Sequence, residues 1–181
     1  MKDIVEQIHK VQLESFCPLE TFRHKDYLKT LPTNRRGLYW LWTNLSLNEL
    51  ERDTVPNSKK EVPISRLIGH RKQLNNICKI EKSNYLVVYN GIGGYNKSPA
   101  SFGLRERINQ EVIGNGPTVG TLNILQNSDV SRWAVSYFDF DAPENAEIII
   151  HLNSDSPYLE YAKDLEMLWR LHYGTPILTS H

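Results

Sequence analysis

Residues 84–111, NYLVVYNGIGGYNKSPASFGLRERINQE, decide the fold. A β-branched and aromatic run, Tyr85 to Tyr89, is expected to form a strand that stops at a glycine cluster (Gly91, Gly93, Gly94). A loop containing Pro99 then leads into a helix from Leu104 to Val112. A strand therefore delivers one tyrosine to a glycine turn, and the next helix delivers arginines. Upstream, Gly37-Leu38-Tyr39-Trp40-Leu41-Trp42-Thr43 reads as a second strand. Its period-2 alternation sets Leu38, Trp40 and Trp42 on one face and Tyr39 and Leu41 on the other.

Working outward, Ile4, Val5, Ile8, Val11 and Leu13 recur near helical spacing and predict an amphipathic helix over 2–15, ending before Pro18. A short helix is expected between Leu19 and Lys29, with Phe22, Tyr27 and Leu28 inward, until Pro32 breaks the pattern. From Leu45 to Lys60 the chain is polar, with Pro56 and an Asn57-Ser58 turn, and reads as a surface excursion. Pro63 opens a helix-like stretch, Ile64 to Ile80. Two readings of it stand: a basic helix lying along a phosphate backbone, or a packing helix with a wet face. Gly114 to Gly120 is a loop, Trp133 to Phe140 a strand and Ala146 to Leu152 another short strand. Ser156-Pro157 is an N-cap with proline at the first helical position, and the helix it opens runs until Gly174 and Pro176 end it.

At 181 residues the chain suits one domain, 1–181, with a helical extension over 1–30 and an inserted basic segment over 44–83. No run approaches the roughly 18 apolar residues of a membrane span, and MKDIVEQIHK is charged where a secretory signal is apolar. A cytoplasmic protein without membrane contact is expected. Cys17 and Cys78 lack metal-ligand or disulfide-framework spacing and are expected reduced and partly buried. His70, His151, His172 and His181 share no ligand spacing either. Lysine plus arginine equals aspartate plus glutamate at 21 each, so no net charge favours nucleic acid. The charge is uneven, however. Arg23, Lys25, Lys29, Arg35 and Arg36 precede the first tyrosine strand, Lys59 to Lys82 is basic, and acidic residues dominate the last quarter.

The ordered set Gly37-Leu38-Tyr39, Tyr89-Asn90-Gly91, Leu104-Arg105-Glu106-Arg107-Ile108 and Leu165-Glu166-Met167-Leu168-Trp169 resembles the GIY-YIG nuclease family. That family includes homing endonucleases, the incision module of bacterial excision repair and several restriction enzymes. The resemblance covers about three quarters of the chain and implies an α+β fold, an α/β sandwich with a small mixed three-stranded core sheet flanked by helices. It also implies metal-dependent hydrolysis of double-stranded DNA, with a restriction enzyme working as a homodimer the closest type. The alternative is a catalytically inactive nucleic-acid-binding module on the same fold.

Carried over by position, the resemblance implies that Tyr39 acts as general base on the attacking water or positions it, Tyr89 bonds near the scissile phosphate, Arg107 stabilises the transition state, and Glu166 holds one Mg2+ or Mn2+ ion. Glu111 stands where many members carry a histidine, and two readings of it are open: it accepts the Tyr39 proton, or it only balances charge. Asn90 replaces a usual apolar residue, and Thr179 falls nearest the family's late asparagine. Such chemistry needs a nucleophile, a cation against the phosphate oxygens and a metal at the leaving oxygen. One carboxylate suffices for magnesium, which keeps most of its waters. A phenol with pKa of about 10 serves as base only if positive charge lowers it, a task expected of Arg107 and the metal. Arg105 lies about 200° from Arg107 round the helix and cannot share its face. Arg66, Arg71, Lys72, Lys97 and Arg105 are the candidate DNA contacts, with 21–36 a further contributor.

Overall fold

The computed structural model describes residues 2–23, 31, 33–53, 61–94, 103–113, 121–150 and 158–179. In order, these form α1 (Lys2–Glu14), β1 (Cys17–Pro18), α2 (Leu19–Phe22), β2 (Gly37–Thr43), α3 (Leu47–Asp53), α4 (Ile64–Arg71), β3 (Glu81–Lys82) and β4 (Tyr85–Gly93). There follow α5 (Leu104–Ile113), α6 (Ile124–Asn127), β5 (Trp133–Asp139) and α7 (Tyr158–Tyr173). Short 3-10 turns at Val130–Arg132 and Pro143–Asn145 flank β5.

The strands make one sheet in the order β1-β5-β2-β4-β3. Every pairing between these strands is antiparallel, which corrects the expected mixed sheet. β2 is central, and all seven of its residues are buried. Its alternation is the one expected. Leu38, Trp40 and Trp42 pack with Val5 and Ile8 of α1 and with Ala162, Leu165 and Trp169 of α7. Tyr39 and Leu41 pack on the other side with Leu19, Phe22, Ile64, Ile68 and with Leu104, Ile108 and Val112 of α5. A sheet apolar on both faces demands a helical layer on each, and the class is accordingly α+β. The N-terminal helix is part of this packing, since Val5 and Ile8 belong to the core.

Four local expectations are corrected. β4 continues through Gly91 to Gly93, because a glycine is needed there for close approach and not for a turn: a Cβ on Gly93 would lie 2.3 Å from Leu104 Cα. Helix α5 therefore starts directly against the strand. The polar excursion from Leu45 contains α3, begun by a capping box in which Ser46 N donates to Glu49 Oε2 (2.7 Å) and Glu49 N donates to Ser46 Oγ (3.2 Å). Leu50 anchors it in the core. The helix expected to reach Ile80 ends at Arg71. The chain then extends, bridging Ile77 to Thr175 before β3. Residues 146–149 form turns, not a strand, and 151–152 lie outside the described residues. Lys97, the loop 114–120 and the cap at Ser156-Pro157 lie outside the described residues.

Cys17 and Cys78 are reduced and buried, and burial pushes the Cys78 thiol up to about 11. Among the described residues no helix is long and apolar enough to cross a membrane.

Candidate active site

The register of β2 against β4 sets Tyr39 opposite Gly91 and Leu41 opposite Tyr89, so both phenols lie on the α5 side of the sheet. Their rings stand 6.2 Å apart. Helix α5 presents Arg107 and Glu111, one turn apart, to that face. Tyr39 Oη donates to Glu111 Oε1 at 2.8 Å, and the Leu122 amide donates to Glu111 Oε2 at 3.0 Å. Arg107 Nη2 donates to Glu111 Oε1 at 3.3 Å, while its Nη1 donates to Gln110 Oε1 at 2.5 Å. The Tyr89 ring stands beside this cluster, and burial and the Glu111 charge raise its phenol. Tyr39 of β2 and Arg107 and Glu111 of α5 thus form one buried hydrogen-bonded network, with the Tyr89 ring packed beside it.

The electrostatics depart from expectation at Tyr39. Arg107 does favour its ionised form, but complete burial and the neighbouring Glu111 charge outweigh that and hold the phenol well above its ordinary value. Tyr89 is raised by the same causes. Burial also raises Glu111 against the opposing pull of Arg107, making it a stronger base than an exposed carboxylate. Tyr39 alone is therefore a poor base. Its hydroxyl proton is directed at the Glu111 carboxylate.

Glu166 arrives from the other helical layer, on α7. Its carboxylate pairs with Arg170 (Nη2 to Oε1, 2.8 Å), one helical turn on, with side chains only 14% and 16% exposed. Arg170 Nε in turn donates to Asn90 Oδ1 at 3.0 Å. Asn90 follows Tyr89 on β4 and faces the opposite way, so the strand carries one half of the site on each side. Burial first, then the Glu111 and Glu166 charges, raise the Tyr89 phenol. Burial raises Glu166 itself, and Arg170 opposes this.

The chain end completes the second half. Leu178 N donates to Val88 O at 2.8 Å, laying 175–179 beside β4, and Thr179 Oγ1 donates to Asn90 Oδ1 at 3.1 Å. Asn90, an apolar position in the resembled family, is thus polar here because it anchors Arg170 and Thr179. Arg170 was not foreseen from the sequence, though Glu166 and Arg170 at i,i+4 are a legible helix pair.

Among the described residues no group of three or more His, Cys, Asp or Glu is placed to share a metal ion. A single carboxylate, here the half-buried Glu166, is a donor of the type a hydrated hard cation takes. Glu111 is already committed to Tyr39, Leu122 and Arg107.

The candidate DNA contacts divide. Arg66 is exposed on α4. Arg71 instead donates to the carbonyls of Ile177 (3.2 Å) and Thr179, tying the chain end to α4. Lys72 pairs with Glu51 at 2.7 Å and Arg105 with Glu106 at 3.5 Å. Of the 21–36 block, Arg36 pairs with Asp141 at 2.7 Å and Arg35 with Asp139 at 3.5 Å. Arg35 and Arg36, just before β2, thus pair with acidic residues at the end of β5. Comparison with known proteins returns no match to any family model, curated protein or solved structure.

Proposed function

We propose that the chain is a metal-dependent, site-specific endonuclease of the GIY-YIG type acting on double-stranded DNA, of the restriction-enzyme kind and working as a cytoplasmic homodimer. The observation that carries this reading is the hydrogen-bonded meeting of Tyr39, Arg107 and Glu111 with the Tyr89 ring beside them. These are the positions that the resemblance marks out, and they come from two neighbouring strands and one helix. The sheet has five antiparallel strands where three mixed ones were expected, and only the placing of helices on both faces of its central strands supports the reading.

In this reading the attacking water bonds to phosphorus and gives a proton to Tyr39 Oη as the Tyr39 proton passes to Glu111. The bond from phosphorus to the leaving sugar oxygen breaks, and that oxygen takes a proton from solvent. Arg107 lies beside the nucleophile's relay, where its charge stabilises the negative oxygens of the transition state. Tyr89 orients the phosphate. Glu166 is the residue that would hold magnesium or manganese, whose contribution is positive charge against the phosphate and leaving oxygen.

The test is incubation of the pure protein with genome-length DNA in magnesium and in chelator, beside Glu166→Ala. Discrete fragments that need magnesium and vanish in the variant are expected. DNA left intact in every lane, yet retained in a gel shift, would establish the inactive binding module instead.

A further inference from the structure

We propose that Asn123 is a positioning residue of the same site: its left-handed backbone and its anchored side chain fix the turn that aims the Leu122 amide at Glu111, leaving the other carboxylate oxygen to Tyr39. This rests on the nuclease reading and goes beyond it by giving a role to residues that the resemblance does not mark.

Leu122 N donates to Glu111 Oε2 at 3.0 Å, while Tyr39 Oη and Arg107 Nη2 take Oε1. A hydrogen bond to a carboxylate favours its charged form, against the burial that disfavours it. The turn carrying this amide is pinned at each of its three carbonyls. Val62 N donates to Thr121 O at 2.8 Å, Asn127 Nδ2 to Leu122 O at 3.0 Å, and Gln126 N and Asn127 N to Asn123 O at 3.1 and 3.2 Å. Asn123 has φ 49° and ψ 51°, a left-handed conformation that asparagine enters at less cost than most side chains. The chain leaves the turn for α6 at this residue. With an ordinary backbone there, α6 sets off in another direction and Asn127 no longer reaches Leu122 O.

The side chain is fixed as well. Asn123 is 3% exposed, and its Nδ2 donates to Glu61 Oε1 at 3.1 Å and to Gln126 Oε1 at 2.5 Å. Its buried Oδ1 finds no partner among the described residues, so the donor side of the amide sets its orientation. Glu61 also bridges to Thr121, which clamps the turn to the segment leading into α4. The titratable and charged groups facing Glu111 are Tyr39 on β2, Tyr89 on β4 and Arg107 on α5, and residues 121–127 contribute none. Loosening the Leu122 bond therefore alters no charge around Glu111, and moves its titration upward.

The experiment follows the Glu111 carboxyl carbon by 13C NMR in glutamate-labelled protein, its resonance identified by its absence from Glu111→Gln. Beside it runs the pH profile of single-turnover cleavage of genome-length DNA in magnesium, after thermal melts establish folding. Asn123→Ala gives up both the left-handed preference and the anchor. It is expected to raise the Glu111 titration by about one pH unit, the tenfold effect of one weakened hydrogen bond to a charged group, and to carry the acid limb of cleavage with it. Should it fold poorly, Asn123→Gly keeps the backbone and loses only the anchor, with a shift of about half a unit. Glu61→Ala removes the same anchor from the other side and is expected to shift the titration in the same direction, whereas Glu61→Gln, which retains an oxygen acceptor, restores it. An unmoved titration and acid limb in the Asn123 variants, with cleavage still lost in Glu111→Gln, overturn the proposal and leave the nuclease reading standing. DNA left intact by the parent, or cut equally by Glu111→Gln, removes the catalytic role of Glu111 from that reading, and the proposal with it.

Discussion

Gly91→Ala puts one methyl group where the site has no room. A Cβ on Gly91 would lie 2.5 Å from Tyr39 Oη, 2.6 Å from Cζ and 2.9 Å from Cε1, whereas ordinary contact begins at 3.4 Å. The phenol must retreat by roughly 1 Å, and since Tyr39 is fully buried it moves against packed neighbours. The 2.8 Å bond to Glu111 then stretches past the ~3.5 Å at which it ceases to be a hydrogen bond. Overpacking costs about 1–3 kcal/mol, and stranding a buried polar group costs about 1–3 kcal/mol. Because relief of one strain enlarges the other, a net loss of about 3 kcal/mol is expected, a large share of the ~5–15 kcal/mol typical of a domain. At roughly 2–4 °C per kcal/mol, Tm falls by roughly 6–12 °C. Urea unfolding followed by the fluorescence of the four buried tryptophans measures it. Gly69→Ala is the control: it lies in α4, its Cβ meets only the movable Glu51 carboxylate at 3.3 Å, and a gain of about 0.5–1 kcal/mol is expected. If Gly91→Ala stays within about 0.5 kcal/mol of the parent, the level of a neutral substitution, the placement of Tyr39 against Gly91 is wrong.

Asn90→Leu restores the apolar residue of the resembled family but takes the acceptor from Arg170 Nε and Thr179 Oγ1; a loss of about 1–3 kcal/mol in urea unfolding is expected, and a stabilised protein would contradict the anchoring role. Glu111→Gln removes the terminal proton acceptor, so single-turnover DNA cleavage should fall by about 10²–10⁴-fold. In the parent, the acid limb of the rate profile should lie above the usual carboxylate range, because burial raises Glu111; a limb at or below that range refutes the relay. His9, stacked 4.2 Å from Tyr173, is held down at about 4 by burial and by His172. Its folded pKa is below the unfolded 6.5, so the unfolded chain binds the extra proton and stability is lost as pH falls from about 6.5 to about 4. His9→Phe should flatten that fall relative to the parent, measured by denaturation at each pH. An unchanged slope would place the acid sensitivity elsewhere.

The sequence by itself determined the elements whose order is local. Alternation in Gly37–Thr43 and in Trp133–Asp139, helical spacing in Lys2–Glu14 and the β-branched run from Tyr85 each recur over a few residues, and each appears where its pattern lies. It also marked Tyr39, Tyr89, Arg107 and Glu111 as companions through their order. The capping box at Ser46 was legible too, though polar composition obscured it. Tertiary structure decided what depends on partners distant in sequence. The all-antiparallel order, the continuation of β4 through its glycines and the pairing of Tyr39 with Glu111 follow from register and from how closely α5 packs. So does the fate of each charge. Arg71 ties down the chain end, Arg36 meets Asp141 and Arg170 meets Glu166 and Asn90. An arginine bound for a phosphate and one bound for a carbonyl look alike in a sequence, because the guanidinium's partner is chosen by long-range contacts that no local period records.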